Sequence, residues 1–99
     1  MTITETRNGD VIQLAVEGRV DTNTSPELQD RILQAFQKGN QLVMDFTELD
    51  YISSAGLRAL LLGHKTANSK GGKMTVINAN DDVLEIFEDT GFSDIFIIE

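Results

Sequence analysis

Three segments with apolar residues on one helical side alternate with short, nearly continuous apolar runs, and that alternation leaves few folds open to the chain. In "ELQDRILQAF", Leu28, Ile32, Ala35 and Phe36 recur at i, i+4, i+7 and i+8, a one-sided core stripe. Ser25-Pro26-Glu27 supplies a capping hydroxyl, a first-turn proline and a first-turn acid, and Gly39 reads as a left-handed stop. A second helix is predicted from about Ser54 to Lys70, ending at Gly71-Gly72, with Leu57, Leu60, Leu61 and His64 on one face. A third runs from about Asp81 to Asp89, turns Val83, Leu84 and Phe87 inward, takes its cap and N-terminal charge from Asp81-Asp82, and stops at Gly91. Between the helices, "QLVMDF" reads as a strand buried on both faces, "KMTVIN" as another buried strand, and "DIFII" as the last.

The N-terminal region reads as a β-hairpin. "TITETR" and "DVIQLAVE" flank Asn8-Gly9, a dipeptide suited to a type I′ turn. Ile12, Leu14 and Val16 make a wholly apolar face, while Val11, Gln13 and Ala15 make a mixed one, and Gly18 ends the strand. The order ββαβαβαβ implies right-handed crossovers in an α/β fold: one domain, residues 1–99, with a mixed, mostly parallel sheet of about five strands and helices mainly on one face.

Composition narrows the partners. The chain has 99 residues and a formal charge of −8, from 16 acids against 8 bases. Such a surface repels phosphate backbones and disfavours nucleic acid. It suits a partner with a basic surface. With no cysteine, disulfides, thiolate zinc sites and cysteine nucleophiles are excluded. No apolar run approaches the roughly 20 residues that span a bilayer, so no membrane partner is expected. "MTITETRNGD" shows no secretion pattern, so a cytoplasmic location is expected.

In open α/β sheets, working residues gather where strands end and helices begin. Two loops qualify here: residues 18–25, carrying Asp21, Thr22, Asn23 and Thr24, and residues 47–54, leading into Ser53-Ser54-Ala55-Gly56. The serines fit a helix cap, with small neighbours letting the helix approach the strand. They also fit a phosphate acceptor, because free N–H groups and the macrodipole at a helix start favour negative charge. A serine nucleophile fits poorly: "YISSAG" lacks the first glycine of G-x-S-x-G, and the single histidine, His64, lies more than two turns along the same helix. His64 reads as a packed, hydrogen-bonded residue at the core's edge, and Asn68 as the point where its face meets water. Asp45, Glu48 and Asp50 lack any metal-ligand spacing and read as strand-end and loop acids. No catalytic residue, cofactor or metal is expected.

The stretch from "LVMDFTELDYISSAGLRALL" through the "GGK" turn to "DTGF", with "EGRVDTNTSPEL" before it, resembles the STAS domains of bacterial anti-sigma factor antagonists across essentially the whole chain. The resemblance implies a non-enzymatic partner switch. The unphosphorylated antagonist binds an anti-sigma factor that is also a serine kinase of the histidine-kinase-like ATPase fold, and so releases a sigma factor. Phosphorylation of the helix-start serine ends the binding, and a metal-dependent serine phosphatase reverses it. By that resemblance the acceptor is the serine two before Gly56, which is Ser54, with Ser53 the alternative. Asp21, Thr22, Asn23, Thr24, Ser53, Ser54, Ala55, Gly56 and Arg58 would form the partner-facing surface. Well-studied members carry aspartate before the modified serine and serine or threonine after it; here Ser53 and Ala55 stand there. The alternative is a STAS module that binds partners or senses a ligand without phosphorylation, with a non-transcriptional output.

Overall fold

The hairpin pairs β1 (Thr2–Asn8) with β2 (Val11–Val20) in the computed structural model, which describes all 99 residues. Asn8 lies opposite Val11, so the loop residues are Gly9 and Asp10. Of these only Gly9 has a positive φ, +62°. The expected type I′ turn needs two such residues, and a positive φ at the first central position alone is the II′ pattern. The chain continues through α1 (Ser25–Lys38), β3 (Gln41–Asp45), β4 (Leu49–Ile52), α2 (Ser54–Ser69), β5 (Lys73–Ile77), α3 (Asp81–Thr90), a 3-10 turn at Phe92–Asp94 and β6 (Ile97–Ile98).

The sheet runs β1-β2-β3-β5-β6, antiparallel only at the hairpin, with β4 parallel to β2 off that path. It therefore has six strands where the sequence implies about five, and the extra one lies in the span expected to be loop. β2 is long enough to hold two partners end to end. Val11 to Ala15 pair with β3, and Gly18 to Val20 pair with β4, with a register shift between Gly18 and Arg19. The chain turns after Asp45 and returns to the same edge of β2 further along, tied by Gly18 N–H donating to Glu48 O at 2.9 Å.

All three helices cover one side of the sheet, where Ile12, Leu14, Leu42, Met44 and Val76 meet Leu28, Ile32, Phe36, Leu60 and Phe87 in a continuous core. On the opposite side Gln13, Ala15, Val43 and Asp45 are half-buried and Val11 and Ile97 are exposed. β3 is thus not covered on both faces as its apolar run implies; three helices on one side leave nothing to cover the other. The last strand is also shorter than "DIFII". Phe96 N–H and Ile95 N–H both donate to Phe92 O, curling the chain so that Phe96 stacks on Phe92 and meets Phe87 edge-on.

The helix boundaries hold, but the N-terminal caps of α1 and α3 differ from those expected. α1 begins after Thr24, whose side chain makes no capping bond, and Ser25 is buried inside the first turn. Asn80, not Asp81 or Asp82, caps α3: its Oδ1 accepts from Val83 N–H at 2.8 Å. Gly39 is extended (φ −165°) rather than left-handed. Its requirement is steric, because a Cβ there would collide with the carbonyl of Asp10. His64 is a packed edge residue as expected, edge-on to Phe96 with Nε2 3.2 Å from Asn68 Nδ2.

Candidate functional site: two strand ends and the start of a helix

β4 makes the site. Val20 pairs with Ile52, and Ser53 N–H donates to Val20 O at 2.8 Å. The loop that begins at Asp21 and the turn that begins at Ser53 therefore leave neighbouring parallel strands side by side. Topology makes these two loops candidates, and this pairing brings them together.

In the first loop, Asp21 acts as a local template. Its Oδ1 accepts from Asn23 N–H at 2.9 Å, Thr24 N–H at 3.0 Å and Thr24 Oγ1 at 3.2 Å, while Asp21 N–H donates to Thr24 Oγ1 at 2.9 Å. These bonds fold residues 21–24 into a turn that delivers α1, the local logic of aspartate in turns. The Thr24 N–H bond holds the Asp21 carboxyl below the usual carboxylate range; partial desolvation opposes this, and Asn23 N–H, the Thr24 hydroxyl and the Arg19 charge reinforce it. Thr24 is turned into the loop, whereas Thr22 and Asn23 are exposed at its crest.

At the start of α2, the two serines divide the work. Ser53 is the N-cap: extended (φ −87°, ψ 174°) and half-buried, its Oγ accepts from Gly56 N–H at 3.3 Å. Ser54 is the first helical residue, is exposed, and its hydroxyl makes no hydrogen bond within the chain. The N–H groups of Ser54 and Ala55 have no acceptor in the chain, as the first donors of a helix generally do not. No acidic side chain sits in the first turn. Gly56 is buried against both strand ends: a Cβ there would lie 2.6 Å from Ile52 Cγ1 and 2.7 Å from Val20 Cγ1. The absent side chain lets the helix start close to the sheet. A hydroxyl is thereby presented at the positive end of a 16-residue helix, next to the Asp21 loop.

Comparison with known proteins places the chain in a family. The family model described as "STAS domain" matches residues 2–99. The chain is a STAS domain of the anti-sigma factor antagonist family. The anti-sigma-B factor antagonist of Listeria monocytogenes is 30% identical over 95 residues, spanning 94% of this chain and 82% of that protein. The fold matches the anti-sigma factor antagonist SpoIIAA in its unphosphorylated form with a TM-score of 0.80 at 14% identity, over 99% of this chain and 87% of that one. It matches the Bacillus cell fate determinant SpoIIAA in its phosphorylated form with a TM-score of 0.78 at 15% identity, over 99% and 91%.

Within this STAS domain, the sequence reading missed a pair of residues on the site's rim. Arg19 lies opposite Tyr51 in the β2–β4 register, and its guanidinium carbon sits 4.5 Å from the centre of the Tyr51 ring. Tyr51 is 37% exposed, an aromatic face offered beside the serines. Only the unforeseen β4 makes them neighbours; the lone tyrosine preceding the serines was the one available signal. Arg58 is exposed on α2. His64 is ten residues along α2 from Ser54, about 15 Å at the usual helical rise, out of reach as a base for either serine.

Proposed function

We propose that this STAS domain is an anti-sigma factor antagonist switched by phosphorylation of Ser54. In the unphosphorylated form it binds an anti-sigma factor that is also a serine kinase of the histidine-kinase-like ATPase fold, and a sigma factor is released. Phosphate on Ser54 ends that binding, and a metal-dependent serine phosphatase restores it. The domain acts in the cytoplasm, by occupancy and not by catalysis. The docking face comprises the Asp21–Thr24 loop, the Ser53–Gly56 turn and Arg58.

The observation that carries the proposal is the division between the serines: Ser53 is spent on capping α2, and Ser54 is exposed beside the Asp21 loop with an unengaged hydroxyl. The relatives support it, since SpoIIAA has been solved in both unphosphorylated and phosphorylated forms. A phosphate adds about −1.5 to −2 charges. A hundredfold loss of affinity requires about 2.7 kcal/mol, which such a charge supplies when a fitted partner surface is forced against it. Intact-mass analysis after incubation with the cognate kinase and ATP tests the acceptor. One phosphate is expected on the unsubstituted domain and on Ser53→Ala, and none on Ser54→Ala. Full labelling of Ser54→Ala refutes the assignment.

A further inference from the structure

Ser54 and Arg58 are both exposed, and their i, i+4 spacing puts them on one face of α2. Helical side chains lean toward the N-terminus, so the Arg58 side chain is directed back over the first turn, where Ser54 lies. Arg58 has no carboxylate partner. The chain's ion pairs join Glu5 to Arg31 and Lys38, and Arg19 rests on the Tyr51 ring. Charged groups on the strand ends and helix beside this end of α2 are mainly acidic: Asp21 after β2, Glu48 and Asp50 before and on β4, and Glu27 on α1, against the one cation Arg19 on β2. A dianion placed there meets an unfavourable background, and Arg58 is the unpaired cation one turn away.

We propose that Arg58 is the internal counter-ion of phosphorylated Ser54, pairing with the phosphate along the helix face. The proposal rests on Ser54 being the acceptor. Guanidinium and phosphate suit each other geometrically, since the planar donor fork can engage two phosphate oxygens at once. The pair gives phosphorylation a second effect. It adds an anion to the docking face and also draws in the arginine that the unphosphorylated face offers to a partner. The phosphate is held over α2 in a fixed place instead of moving freely in solvent.

The test installs phosphoserine at position 54 during translation, so that no kinase is needed, and follows the phosphate through its second ionisation by 31P NMR. The Arg58 charge favours the dianion, so Arg58→Gln should raise the apparent pKa of that step by about 0.3–0.6 of a pH unit, the scale of a charge-assisted i, i+4 pair. Lys65→Gln removes the same charge from the same helix face about 16 Å from Ser54 and should leave the titration unchanged. Both positions are exposed, so both variants fold. An unshifted titration in Arg58→Gln, or an equal shift in Lys65→Gln, overturns the proposal. A kinase that fails to label Ser54 would instead overturn the proposed function and leave this titration standing.

Discussion

Gly56→Ala tests whether the helix start is pinned to the two strand ends. The new methyl would lie 2.6 Å from Ile52 Cγ1 and 2.7 Å from Val20 Cγ1. Neither neighbour yields cheaply: Val20 is fully buried, Ile52 is 1% exposed, and both are β-branched with stiff χ1. Overpacking of this kind costs about 1–3 kcal/mol. Alanine's higher helix propensity returns up to about 1 kcal/mol. The net expectation is a loss of about 1–2 kcal/mol, or a melting temperature lower by about 4–15 °C for a domain of this size. Thermal unfolding followed by circular dichroism, with urea titration as a second measure, reads both. The urea slope should stay unchanged, because the same surface is exposed on unfolding. A variant as stable as the parent, or more so, would mean that α2 does not rest on Val20 and Ile52 and that the glycine has no steric role.

Stability should also separate the two serines: Ser53→Ala loses the cap and costs about 1 kcal/mol, whereas Ser54→Ala is near neutral. Equal losses in urea titrations of the two variants would contradict the assignment of the cap to Ser53. Asp45 gives a pH signature. Its partial burial opposes ionisation, yet the Thr47 hydroxyl at 2.6 Å, the Thr47 N–H and the Asn78 amide outweigh that and lower its pKa from the ordinary value of 3.8. Because the folded-state pKa is the lower one, the stabilisation is complete above the ordinary value and fades as pH falls through the folded one. Asp45→Asn should therefore destabilise at pH 7 and lose that deficit as the pH falls below the ordinary value of 3.8 and through the lower folded-state pKa. A deficit that does not change with pH would contradict this.

The parts of the fold visible in the sequence are those with local causes. The α1 stripe from Leu28 to Phe36 and the stop of α3 at Gly91 follow from helical spacing and a residue free to adopt φ +81°. β4 was not visible because its evidence is not local. In "LDYI" the buried residues are the two ends, Leu49 and Ile52, an i, i+3 spacing that breaks strand alternation. It becomes a strand because β2 continues past β3 and offers a free edge. The caps of α1 and α3 were misplaced for a related reason. Several adjacent residues could serve, and three-dimensional fit selects among them: Asn80 over Asp81, and the Asp21 turn over the Ser25 hydroxyl. The site inherits both features. Ser53-Ser54-Ala55-Gly56 announces a helix start, but which hydroxyl is free follows only from the Gly56 N–H pointing at Ser53. The Arg19–Tyr51 rim exists only once β4 is paired.

Comparing the dissociation constants of the cognate ATPase for the unphosphorylated domain and for the domain carrying phosphate on Ser54 tests the switch most directly. The account predicts at least about a hundredfold weaker binding after phosphorylation, a difference of about 2.7 kcal/mol. Equal affinity of the two forms would contradict it.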